Sequence, residues 1–153
     1  ELNLAFAKLN NMMVNYPTLK VSMFGYTEWM MYTKYNIDNY YKYDVHIPAA
    51  YFYNPLSSRT ARFQQKYRWN FHADMIQALP RFAITGFDQA FYFIRGLYLY
   101  GSRFTGAPGS VGYTPTQTPL SFQRVGSGGG YKNKSILFVH YLSGHKVETI
   151  HFQ

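Results

Sequence analysis

The chain has 153 residues, 47% of them hydrophobic and 14% charged, so it can bury a core and is not a disordered tail. Its formal charge is +8, and its 15 Lys and Arg are scattered with no run of three, the pattern of a solvated basic surface. It has no cysteine, which excludes disulfides, thiolate metal centres and a cysteine nucleophile. In chain order, Leu2, Ala5, Phe6, Leu9, Met12 and Met13 form the stripe of an amphipathic helix over 2–15, stopped by Pro17. Lys20 to Gly25 predicts a short apolar strand, and Tyr26 to Tyr35 a loop and helix. Residues 44–53 predict a second strand ending at the Asn54-Pro55 turn. Ser57 or Ser58 then opens a helix over 57–71 that carries Phe63 and Tyr67. Residues 82–85 are expected to be a buried apolar piece ahead of a Gly86-Phe87-Asp88 corner. Asp88 is expected to cap a helix over 88–100, with Ala90, Phe91, Ile94, Leu97 and Tyr98 at spacings of three and four.

The composition changes at Gly101. Residues 101–119 hold four Gly and three Pro and read as loop. Strands are expected at 120–125, 135–142 and 145–152, with Ser143-Gly144 as a tight turn between the last two. The alternating order predicts an α/β fold, a parallel sheet with flanking helices, followed by a C-terminal β-rich tail. The expected organisation is one domain over 1–153, an α/β lobe at 1–101 and a loop and β-hairpin tail at 102–153.

The run from about residue 18 to 101 resembles the second lobe of type I periplasmic substrate-binding proteins of the branched-chain amino-acid receptor type. Asn54-Pro55, the Phe63 and Tyr67 step, and Gly86-Phe87-Asp88 with Ala90 carry the likeness, with Gln89 as one extra residue. The tail, with Phe122 and Arg124, Gly129-Gly130-Tyr131, Asn133 and Val139-His140-Tyr141, is similar to the ends of Bacteroidetes envelope proteins of this fold. Those proteins often carry peptidoglycan-binding LysM modules upstream. The resemblance implies a location in the periplasm or cell envelope and a missing N-terminal lobe of the same protein. A start without Met, directly in helix, likewise suggests a fragment of a longer chain. No signal peptide and no apolar run long enough for a membrane span is visible.

Candidate site residues follow from strand ends, where ligands meet α/β sheets. Gly25-Tyr26-Thr27-Glu28-Trp29 follows the first expected strand. Tyr26 and Trp29 offer stacking surfaces and Glu28 a partner for a cationic group, although Glu28 lies one position beyond the receptor family's carboxylate. Tyr51 and Tyr53 share one strand face and would assist. The competing expectation for all five is core packing and ordinary exposure. The histidines, His46, His72, His140, His145 and His151, form no His-x-x-x-His pair, so no metal is expected. No cofactor is expected either. No carboxylates pair for acid–base work and no Gly-x-Ser-x-Gly occurs, so the chain is not expected to be an enzyme. Tyr and basic residues interleave at 40–43 and 131–134, but without a nucleic-acid-binding signature no nucleic-acid partner is expected. The expected function is non-catalytic recognition of a small solute, such as an amino acid, or of a peptidoglycan fragment. The alternative is a protein-interaction module of an envelope protein that has lost its ligand.

Overall fold

The computed structural model describes residues 1–105 and 112–152. Residues 106–111, part of the expected 101–119 loop, and Gln153 lie outside the described residues. In chain order the elements are α1 (Leu2–Asn15), a 3-10 turn at Thr27–Tyr32, α2 (Thr33–Lys42), β1 (His46–Ala49), α3 (Ser58–Phe71) and α4 (Phe82–Tyr100). A 3-10 turn at Gly101–Arg103, β2 (Phe122–Arg124), β3 (Tyr131–Asn133), β4 (Ile136–Leu142) and β5 (Lys146–Phe152) follow. The chain groups into two compact units, Glu1–Ala49 with Phe138–Ile150, and Ala50–Leu137 with His151–Gln153.

The first unit is built on aromatic packing. Phe6, buried on α1, stacks on Tyr43 with centroids 5.8 Å apart and packs on Tyr40 at the same distance. Tyr40 meets Tyr141 of β4 edge-on at 5.2 Å. Both polar tips are satisfied, as burying a tyrosine requires. Tyr40 Oη donates to the Trp29 carbonyl at 2.9 Å, and Tyr43 Oη to Asn10 Oδ1 at 2.7 Å. The interleaved tyrosines at 40 and 43 are therefore core residues and offer no stacking face to a base. The sheet is three-stranded and antiparallel in the order β1-β4-β5. Its last two strands are joined through Gly144 and His145, both at positive φ, in the turn expected at Ser143-Gly144.

The expected parallel sheet is not formed. Only four residues of the expected 44–53 strand are extended as β1. The expected strand at 20–24 makes a single parallel bridge, Phe24 to His46, flanked by hydrogen bonds from Gly25 N–H to the His46 carbonyl and from His46 N–H to the Met23 carbonyl. The apolar piece at 82–85, expected to be buried ahead of the helix, is the first turn of α4, with Ile84 buried and Phe82 exposed. The stretch 1–101 therefore supplies too little strand for a parallel sheet. β1 is instead joined by β4 from the C-terminal region, with Tyr141 N–H donating to the Val45 carbonyl at 2.9 Å. This arrangement of helices and small antiparallel sheets overturns the α/β lobe of a periplasmic-binding-protein fold.

The second unit centres on α4. Its buried positions are Ile84, Asp88, Tyr92 and Gly96, four apart along one face. Asp88 is not the expected helix cap. It lies in mid-helix, fully buried, and accepts backbone N–H groups of Thr116, Gln117 and Thr118 at 2.8–2.9 Å. Gln117 brackets the start of the same helix. Its Oε1 accepts from Arg81 N–H, and its Nε2 donates to Thr85 Oγ1 at 2.9 Å. Farther along, Gly96 allows Phe104 to lie against the helix, since a Cβ there would stand 2.2 Å from the ring. Tyr92 and Phe93 both pack on Phe122 of β2, which pairs antiparallel with β3 in the register Phe122 to Asn133. Asn133 closes this small ribbon, its Oδ1 accepting from Ser121 N–H and its Nδ2 donating to the Pro119 carbonyl.

Candidate functional site

The expected rim divides between the two units. Tyr26, Glu28 and Trp29 line one open depression of about 430 Å³ in the first unit, together with Tyr32 and the start of α1. Tyr26 is 72% exposed and Glu28 is exposed, so both are available to solvent. Trp29 is committed elsewhere. Its ring stacks on Tyr40 at 6.2 Å, meets Phe6 edge-on at 6.1 Å, and fills the space that a Cβ on Gly25 would need. Tyr51 and Tyr53 belong to the second unit. There Tyr53 Oη accepts from Gln64 Nε2, and the Arg81 guanidinium lies over its ring, 4.9 Å from the centroid. Tyr53 is thus held by α3 and by the residue that opens α4.

A larger open groove, about 720 Å³, runs along α3 in the second unit. The sequence of α3 explains its chemistry. Ser58–Phe71 carries four basic residues and no acidic one, with apolar residues on only part of its circumference. Arg59, Arg62 and Lys66 fall at steps of three and four, so they form one row. Phe63, Tyr67 and Phe71 step by four and form the adjacent row. Both rows line the groove, and Ala83 and Phe87 of α4 complete it.

Several contacts fix these walls. Phe63 packs on Phe87 with centroids 5.0 Å apart, and Tyr67 on Phe71 at 4.7 Å. Arg59 Nε donates to Thr116 Oγ1 at 2.9 Å, which ties α3 to the segment held by Asp88. Phe71 remains 66% exposed and Phe87 40% exposed, so apolar surface stays open to a ligand. No carboxylate, imidazole or thiol lines this groove among the described residues. Its arrangement suits holding an anion beside a flat apolar face, and offers no acid–base pair.

In the linear sequence Phe63 and Tyr67 mark only a step along the 57–71 helix, and the basic residues look scattered. The signal that would have found the groove is the helical wheel of 58–71, where cations and aromatics occupy neighbouring rows. Comparison with protein families, curated proteins and solved structures finds no match. The groove's chemistry therefore stands on its own geometry.

A second grouping was not visible in the linear sequence. Asp44, His46 and His140 bring donor atoms within 4.8 Å of one another in the first unit. His140 lies between two carboxylates, with Nε2 2.6 Å from Asp44 Oδ1 and Nδ1 2.9 Å from Glu148 Oε1. Desolvation of its ring opposes the charged form, but the bonds and charges of Asp44 and Glu148 outweigh it and raise the His140 pKa above its ordinary value. The Ser22 hydroxyl and then His140 hold the Asp44 carboxyl below the usual carboxylate range. Ser22 bonds the carboxylate, not the imidazole, so these residues do not make a serine nucleophile with its base.

Proposed function

We propose that this chain is a non-catalytic recognition module whose α3 groove takes a small anionic ligand with a flat apolar face. The observation that carries the proposal is the pairing of a cation row, Arg59, Arg62 and Lys66, with an aromatic row, Phe63, Tyr67 and Phe71, on one helix face. Cations fix a carboxylate or phosphate by charge-assisted hydrogen bonds, and rings cover an apolar face with few rotors to freeze. A carboxylate-bearing peptidoglycan fragment, with sugar faces and a short peptide, belongs to this ligand class. Such fragments occur in the periplasm and cell envelope, which is the compartment proposed with it. The proposed ligand surface thus moves from the Tyr26 to Trp29 rim to the groove.

Calorimetric titration tests this. A muramyl dipeptide is expected to bind, and its carboxylate-blocked neutral analogue to bind about tenfold more weakly, the size of one charge-assisted bond. The Arg62→Ala/Lys66→Ala double variant is expected to lose most of the binding. Equal affinity for the charged and neutral forms, or an unaffected double variant, would remove the groove from the account.

One observation favours a protein-interaction module instead. On α4, Ile94, Leu97 and Tyr98 are 68%, 55% and 87% exposed and adjoin one another at steps of three and four. A clustered apolar face of this kind is a common mark of a macromolecular interface. Self-association or partner capture abolished by Leu97→Glu, with no response to muramyl ligands, would favour it.

A further inference from the structure

We infer that Asp44, His46 and His140 form a binding site for a divalent cation of the zinc class, separate from the α3 groove. Two imidazoles and one carboxylate make a borderline donor set that suits zinc, with water free to complete the coordination. The three residues sit on fixed elements. Asp44 turns the chain from α2 into β1 at φ +48°, His46 opens β1, and His140 lies on the adjacent strand β4. The His140 side chain is only 11% exposed, whereas Asp44 is 40% exposed, so the cluster is anchored inside and open outside.

What distinguishes the cluster from a chance meeting of polar residues is its support. Metal-binding histidines characteristically donate their other ring nitrogen to a carboxylate or a backbone carbonyl. Here His140 Nδ1 faces Glu148 Oε1 at 2.9 Å, and His46 Nδ1 faces the Asp44 carbonyl at 2.9 Å. Those partners leave Nε2 of each ring as its ligand atom. The third donor is supported too, since Ser22 Oγ donates to Asp44 Oδ2 at 2.5 Å, which leaves Oδ1 for the ion. Phe24 covers the face of His46, with centroids 4.8 Å apart, and gives the site an apolar wall. Two of the seven acidic residues of a +8 chain thus converge on two imidazoles.

The His46 and His140 rings are stacked, with centroids 3.9 Å apart and planes 18° from parallel. Their donor nitrogens nevertheless lie within 4.8 Å of each other and of an Asp44 carboxylate oxygen. An ion held at about 2.0–2.1 Å from each nitrogen needs the stack to open, with His46 turning against Phe24 and His140. The ion takes the place of any proton between His140 Nε2 and Asp44 Oδ1, which lie 2.6 Å apart, and that proton passes to solvent. The contact of His140 Nδ1 with Glu148 Oε1, at 2.9 Å, is left in place. Binding therefore releases protons and weakens as pH falls.

The test uses the untagged full chain, stripped with chelator and dialysed. Titration with zinc chloride followed by calorimetry is expected to show one equivalent bound, and cobalt(II) to give visible bands of low-symmetry nitrogen and oxygen coordination. His46→Gln, at a half-buried position, is expected to weaken binding by tenfold or more, and Glu148→Gln by about tenfold through loss of ring support. His72→Gln, in the other unit, should bind as wild type. Circular dichroism verifies that each variant is folded. Absence of a one-equivalent step, or wild-type affinity in folded His46→Gln, would leave a hydrogen-bonded ion-pair cluster only and overturn the assignment.

Discussion

His140 is the residue whose chemistry depends most on its neighbours. Desolvation opposes its charged form, but Asp44 and Glu148 raise its pKa, and Ser22 and then His140 lower that of Asp44. A raised histidine pKa contributes stability that is complete below its unfolded value and is lost as pH rises through the folded one. A lowered carboxyl pKa contributes stability that is complete above its unfolded value and is lost as pH falls through the folded one. The two contributions coexist between about pH 4 and about pH 6.5. With chelator present, NMR titration should show His140 titrating above 6.5, and Glu148→Gln should bring it down. A His140 titration unchanged in Glu148→Gln would contradict the geometry. His72 offers a backbone test at the same scale. It ends α3 in the left-handed region at φ +51°, where a Cβ costs about 1 kcal/mol. His72→Gly should therefore raise the thermal midpoint slightly, and a fall would show that the His72 side chain does more than end the helix.

Helix α4 decides the second unit. The spacing of Ala90, Phe91, Ile94, Leu97 and Tyr98 marks one apolar face of the helix, but the buried face is Ile84, Asp88, Tyr92 and Gly96. The reason lies with Asp88, which satisfies three backbone N–H groups of 116–118 and so draws its own face inward. Asp88→Ala would strand those donors at about 1–3 kcal/mol each, and chemical denaturation should register a loss of roughly 3 kcal/mol or more. A loss under about 1 kcal/mol would mean that water satisfies those N–H groups. Gly96→Ala should cost about 1–3 kcal/mol, because its Cβ would displace the Phe104 ring. Local pattern made α1, α3 and the β4–β5 hairpin legible, since each has regular periodicity and a stop or turn signal. It hid the long-range features. A buried aspartate reads as a cap until its partners, some thirty residues away, are known. The parallel sheet failed for a similar reason, because the strand beside β1 comes from residues 136–142. The cluster of Asp44, His46 and His140 was equally invisible, with 93 residues between His46 and His140.

At the scale of the whole molecule, three surfaces compete for a functional role. They are the Tyr26, Glu28 and Trp29 depression, the α3 groove, and the exposed Ile94, Leu97 and Tyr98 face of α4. The depression spends Trp29 on core packing, and the α4 face has no arranged charge among these three residues. The groove alone combines an aromatic row with a cation row, so it can fix both position and charge sign. Binding there should weaken with added salt, because its cations are open to solvent and screened within about 8–10 Å at moderate ionic strength. No described helix is long and apolar enough to cross a membrane. The most direct test is an amide-resolved NMR titration of the full chain with a muramyl dipeptide. The account predicts shifts concentrated at 59–71 and 83–87 that saturate and shrink with salt. Shifts confined to residues 26–32 or to the 94–98 face, or no saturable shifts at all, would contradict it.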